Sequence, residues 1–231
     1  VVDGTAYSSA TVGVASGIQD DAIGVGGRTA SSGTVGGSIQ IGTGSNRYLL
    51  QPLICSIATG GGVTYASYDT LTVSCTDGAM TRLVSVDYNQ AGNLNGSIHL
   101  YGRANPTSSS TQTLTANVVE SGKTFNLTLL PGLALSGVAS LTGAATTGPS
   151  TAAAMSLAVS SAAGHRAVFV AGFDTAPMDF DKRVRGFNGN ASGTNCPHWG
   201  IFADALGAAT VTATTSNSQL HAAVGIDLIP A

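Results

Sequence analysis

The chain has 231 residues and a net charge of −3, and only 9% of its residues are charged, against about 25% in an average soluble domain. Its nine Lys and Arg are scattered, so there is no basic footprint and nucleic acid is not an expected partner. No stretch approaches the roughly 18 apolar residues of a membrane helix, and the longest apolar run is cut by Pro131 and Gly132.

The length suits one all-β domain of ordinary size plus an extension. Ser, Thr, Asn and the 31 glycines carry most of the surface, which is soluble without strong charge. Such a surface lacks the self-repulsion that keeps monomers apart at high concentration, and a chain of this kind suits an assembly.

Residues 1–45 are dominated by Gly, Ser, Thr and Val, with G-V-G-G-R at Gly24–Arg28 and V-G-G-S-I-Q-I-G-T-G at Val35–Gly44. Apolar residues are too thinly spaced among the glycines to build a core, so the segment reads as an extended Gly-rich N-terminal arm. Its pieces V-G-V-A-S and S-I-Q-I-G are expected either to order as edge strands, on a neighbouring subunit or on the body, or to remain a linker. The glycine clusters resemble phosphate-cradling loops, but no helix follows to hold an anion, and no cofactor is expected.

From residue 46 to 231 the texture changes to short strands between turn clusters, the rhythm of an antiparallel β-sandwich. Strands are predicted near Tyr48–Ile57, Thr70–Cys75, Met80–Asp87, Ser97–Arg103, Thr111–Val119, Thr124–Leu130 and Ala134–Ala139. Five more follow near Ala154–Ser160, Arg166–Phe173, Lys182–Phe187, Thr210–Thr215 and Gln219–Ile229. The breakers are D-G at Asp77, N-P at Asn105, P-G at Pro131, T-G-P at Thr147 and A-A-G-H at Ala162. In the Ala-rich piece at Ser150–Val159, Met155, Leu157 and Val159 alternate at period two, which favours a strand over a helix. Pro197–Leu206 has neither period and is expected to hold at most one helical turn, with Trp199 sealing an end of the core.

Candidate chemistry is sparse. His99 alternates with Ile98 and Leu100, and His221 is placed alike, so both are expected to face solvent, while His165 lies in a turn. Cys196 and His198 are the nearest approach to a nucleophile and base, but Pro197 holds them extended, and no catalysis is expected. Cys55 and Cys75 read as small core hydrophobes, with a disulfide between them left open. Asp174, Asp179 and Asp181 lack calcium-loop spacing and are opposed by Lys182, Arg183 and Arg185, which describes a salt-bridged strand edge; no metal is expected. The sequons at Asn95, Asn126 and Asn190 are no more than a Ser/Thr-rich chain contains by chance.

Six segments recur in a characteristic order: R-Y-L-L-Q-P-L-I from Arg47, G-A-M-T-R at Gly78–Arg82, and I-H-L-Y-G-R-A-N-P at Ile98–Pro106 leading into T-L-T-A-N-V. L-S-G-V at Leu135–Val138, A-G-H-R-A-V-F-V-A-G at Ala163–Gly172 and the closing H-A-A-V-G-I-D-L-I-P-A complete the set. Together they resemble a jelly-roll-like sandwich domain found in bacteriophage virion proteins, notably minor tail, head-fibre and capsid decoration proteins. The family's frequent Y-G-G turn is replaced by T-D-G at Thr76–Gly78.

The resemblance implies a non-enzymatic role on the virion surface, tail or capsid exterior, through contacts with other virion proteins and copies of itself. A second reading is a carbohydrate-binding or adhesive module contacting a host surface glycan. Its candidate contact residues, for a ligand or a subunit, are Tyr65, Tyr68, Tyr88 and Tyr101.

Overall fold

A computed structural model describes residues 17–29, 33–59, 68–87, 96–173, 179–180, 183–187, 199–207, 209–214 and 220–231. They form nineteen strands and, among the described residues, no helix. In chain order these are β1 (Gln19–Ile23), β2 (Gly27–Thr29), β3 (Thr34–Gln40), β4 (Tyr48–Thr59), β5 (Thr70–Cys75), β6 (Gly78–Ala79), β7 (Thr81–Asp87), β8 (Gly96–Ala104), β9 (Thr111–Val119) and β10 (Thr124–Leu129). Then come β11 (Leu133–Ser136), β12 (Val138–Ser150), β13 (Ala154–Val159), β14 (Arg166–Phe173), β15 (Asp179–Phe180), β16 (Arg183–Phe187), β17 (Trp199–Leu206), β18 (Ala209–Thr214) and β19 (His221–Pro230).

The chain is all-β and antiparallel, as a sandwich requires, but where a jelly roll has two sheets the described strands make four. Sheet I is β3-β9-β5-β6, and sheet II holds the seven strands β1, β2, β4, β7, β8, β10 and β11. Sheet III runs β12-β19-β14-β17-β16, and sheet IV runs β13-β18-β15.

Side-chain alternation stacks these sheets in the order I, II, III, IV. On β4, Leu49, Leu53 and Cys55 join Val35, Val73, Leu114 and Val118 of sheet I in an outer core. Leu50 and Ile54, on the opposite face, join Val168, Val170, Val224 and Leu228 of sheet III in a central core. On β14, Ala167, Phe169 and Ala171 point the other way, to Met155, Leu157 and Val159 of β13 in a third core. The two middle sheets are therefore covered on both faces, and β14 is buried along its whole length. The peripheral β13 buries only alternate residues, the period that its sequence predicts.

Residues 17–29 and 33–45 lie on the body, one of the two courses expected of the N-terminal segment. β1 pairs with β11, β2 with β10 and β3 with β9, so the S-I-Q-I-G piece is an edge strand of the body. V-G-V-A-S and the rest of residues 1–16 lie outside the described residues. The segment also buries Ile18, Val35, Ile39 and Ile41 in the cores, contrary to the expectation that its apolar residues are too thinly spaced, and glycine allows close approach: a Cβ on Gly26 or Gly27 would fall 2.2 Å from the Leu129 carbonyl oxygen or 2.0 Å from that of Gly36.

The single strand predicted near Ala134–Ala139 is divided at Gly137, whose φ of 75° no bulky residue adopts readily. There the chain leaves sheet II as β11 and enters sheet III as β12. T-G-P at Thr147 does not end β12, which runs on to Ser150; an edge strand tolerates a proline because its outer N–H has no ladder partner to lose. The helical turn expected within Pro197–Leu206 is replaced over residues 199–206 by β17, flanked by β14 and β16. The side chain of Trp199 lies outside the described residues.

Candidate functional site

Polar side chains collect where the layers end. Arg166, at the start of β14, is 4% exposed and lies between sheets II and III. Its Nε donates to Asp204 Oδ2 at 2.7 Å, its Nη2 donates to the same oxygen, and its Nη1 meets Asp20 Oδ1 at 2.6 Å. Asp204 is on β17 and Asp20 on β1, so one guanidinium ties the N-terminal edge of sheet II to the interior of sheet III. A permanently charged group held by two carboxylates supplies a clamp, with neither a base nor a nucleophile.

A second cluster sits at the end of the third core. Asp227, on β19 and 1% exposed, accepts from Ser161 Oγ at 2.6 Å through Oδ1 and from His165 Nδ1 at 2.7 Å through Oδ2. The residue types are those of a hydrolytic triad, but the order differs. A triad places the imidazole between serine and carboxylate so that it takes the serine proton. Here the carboxylate is in the middle, and Ser161 donates to it directly. The cluster closes the turn before β14, where the Gly207 N–H also bonds the His165 carbonyl.

The third cluster is inside the outer core, and it overturns the expectation that His99 faces solvent. His99 does point away from Ile98 and Leu100, but that face of sheet II is covered by sheet I, and His99 has no exposure. His221, 2% exposed, is buried for the same reason on sheet III. His99 Nε2 and Ser97 Oγ share a 2.6 Å hydrogen bond, Tyr68 OH and Ser97 Oγ another of 3.2 Å, and the hydroxyl also reaches Cys55 across the strand pair. Burial, with the Arg82 charge adding to it, pulls the His99 pKa down to about 3. Burial likewise pushes the Cys55 thiol far above its ordinary range. A neutral imidazole beside a protonated thiol is not an activated pair. Cys55 and Cys75 are free thiols, so the disulfide left open between them is not made. Cys196 and His198 lie outside the described residues.

The four tyrosines do not form one surface. Tyr101 is 3% exposed in the outer core, where burial pushes its pKa up to about 12, and it presents nothing to a ligand or neighbour. Tyr68 is half-buried, edge-on to Phe125 with ring centroids 5.5 Å apart. Tyr65 and Tyr88 lie outside the described residues. Phe125 in turn lines an open groove of about 330 Å³ with Thr34, Asn117, Val119, Glu120 and Lys123, at the end of the outer core. Of the D-F-D-K-R-V-R stretch, Asp179 opens β15 and Arg183 opens β16, edge strands of sheets IV and III; Asp174, Asp181 and Lys182 lie outside the described residues.

One surface feature is extended. β12 has thirteen residues, V-A-S-L-T-G-A-A-T-T-G-P-S, none of them charged, and pairs with β19 alone among the described strands. Apart from Val138 all are exposed or half-exposed.

The clusters were not legible in the sequence, because their members come from distant strands: Arg166 and Asp204 are 38 residues apart, and Ser161 and Asp227 are 66. No short motif signals such a pairing. No family model matches the chain, and no curated protein or solved structure matches it.

Proposed function

We propose that this chain is a non-enzymatic structural component of a bacteriophage virion, a minor tail protein or capsid decoration protein. It acts by assembling with copies of itself and with other virion proteins on the tail or capsid exterior. The observation that carries the reading is where the charges sit. Of the nine basic and twelve acidic residues, Arg166, Asp204 and Asp227 are buried, and Asp20 is committed to Arg166. The surface is thus poorer in charge than the composition alone states, and little repulsion opposes close packing of copies. The ordered resemblance of six segments to virion sandwich domains supports the same role.

Mass spectrometry of purified phage particles, with light scattering of the isolated protein over a wide concentration range, tests this. The expected result is a particle-borne protein that self-associates. A protein that is absent from particles and stays monomeric at high concentration ends the reading.

The groove beside Phe125 favours a second reading, a glycan-contacting module, since it sets polar Thr34, Asn117, Glu120 and Lys123 around apolar Val119. A glycan array compares the two: assembly alone gives no signal, whereas a glycan site gives one that weakens in Glu120→Ala.

A further inference from the structure

Resting on the assembly reading, we infer that β12 is a homotypic contact. The β12 strands of two copies pair antiparallel about a twofold axis and join two five-stranded sheets into one continuous sheet.

An open sheet edge is a row of unsatisfied N–H and C=O groups, and monomeric proteins protect it with charge, proline or distortion. The two edges of sheet III are treated differently. β16 reads R-V-R-G-F, with two arginines in five residues. β12 has no ionisable residue in thirteen, and from Ala139 to Ser150, at about 3.3 Å per residue, no described strand pairs with its outer side over roughly 40 Å. Its protection is limited to Pro149, near one end, and to register shifts between Val138 and Ser140, Thr142 and Ala145, and Thr147 and Ser150.

Among the described residues, the inward side chains of β12 are also incompletely covered. Leu141 packs on the central core and Ala145 on the third core, the shift between them having turned the strand over. Both remain partly exposed, while the facing residues of β19 are buried. A further strand beyond β12 would complete both cores at this border.

The position of the shifts selects the partner. They leave two regular stretches paired to β19, Ser140–Thr142 and Ala145–Thr147. An antiparallel copy centred between Gly143 and Ala144 sets each stretch against the other: Ser140 opposite Thr147, Leu141 opposite Thr146, Thr142 opposite Ala145. The irregular residues then face one another at the axis. Pairing of β12 with β16 of another copy would align neither the breaks nor the charges, and it would grow without closure, whereas a twofold contact closes.

Sedimentation equilibrium of the whole chain is compared with the double variant Ser140→Lys, Thr147→Lys, an exposed and a half-exposed position that oppose each other across the twofold, and with Ser156→Lys on exposed β13 as control. The wild type and control are expected to dimerise, and the double variant to associate at least about tenfold more weakly, because like charges meet across the strand pair. A second measurement does not depend on the lysine variant folding: Ala144→Cys, next to the axis, is expected to cross-link to its own copy on mild oxidation where the wild type does not.

If the double variant, with an unchanged melting curve, dimerises like the wild type, or if Ala144→Cys fails to cross-link within an intact dimer, the β12 contact is overturned while the assembly reading stands. A wild type that is monomeric yet present in particles likewise overturns the contact alone. A wild type both monomeric and absent from particles overturns both.

Discussion

On β4 and β8 the even-numbered residues face one core and the odd-numbered residues another. Toward sheet III stand the apolar side chains of Leu50, Ile54, Ile98 and Leu100. Toward sheet I stand Gln51, Cys55, Ser97 and His99, mixed with Leu49, Leu53 and Tyr101, and all of them are buried. The central core mates two broad sheets, each covered on its other face as well, and it keeps its charges at one end, in the Asp20–Arg166–Asp204 clamp. The outer core accepts polar groups in its middle because they bond locally, Ser97 linking His99, Tyr68 and Cys55. Burial therefore does not require an apolar residue; it costs least where a buried polar group finds a partner, as Gln51 Nε2 does at the carbonyls of Pro52 and Leu130.

The contrast between the two cores is most severely tested at the clamp. Replacing Arg166 with alanine strands the buried Asp204 carboxylate, and urea denaturation is expected to show a loss of about 3–5 kcal/mol. A loss below about 1 kcal/mol, in the range of exposed pairs, would mean that the clamp does not hold the layers. In the central core itself, Leu100→Ala is expected to cost about 2–5 kcal/mol, through lost transfer energy and the cavity left behind; a smaller cost would show the two sheets collapsing to fill it.

The outer core is expected to respond to acid. His99 has a folded pKa of about 3, against about 6.5 when unfolded. Below pH 6.5 the unfolded chain takes up a proton that the folded chain refuses, so stability falls as pH drops from about 6.5 toward 3. The slope is about 1.4 kcal/mol per pH unit, or roughly 3 kcal/mol by pH 4. His99→Gln lacks that proton, so the difference between the two stability titrations should carry the slope. A flat difference would place His99 in contact with water. The smallest expected effect is that of Tyr68→Phe, which removes the 3.2 Å bond to Ser97 while keeping the ring on Phe125, at about 0.5–1.5 kcal/mol.

Strands whose pattern is strong were legible to the residue. β5, β9 and β14 have the predicted limits Thr70–Cys75, Thr111–Val119 and Arg166–Phe173. β1 and β2 were not, because Gln19–Ile23 shows no apolar alternation and Gly24, Gly26 and Gly27 have no side chains to show a period; β3 was anticipated only in its S-I-Q-I-G piece, as an edge strand or a linker, and all three exist through the partners they pair with. β17 was missed for a related reason: flanked by β14 and β16 and lying in a middle sheet, it need not alternate apolar and polar residues. Of the two candidate tyrosines among the described residues, Tyr68 keeps partial exposure and Tyr101 is buried, while Asp20, Ser161, Asp204 and Asp227 belong to no recognisable motif.

What the sequence by itself determined is the class of fold, the low surface charge and, strand by strand, which residues share a face, since a strand reverses its side chain at every residue whatever surrounds it. Only the tertiary structure decided what each face meets. Alternation sets His99 opposite Ile98 and Leu100, and the fold keeps that geometry; that the opposite side is a second core, and not water, depends on four stacked layers held by contacts such as that of Arg166 with Asp20. The same stacking leaves β12 as an uncharged border, because β19 covers one side of it and no described strand covers the other.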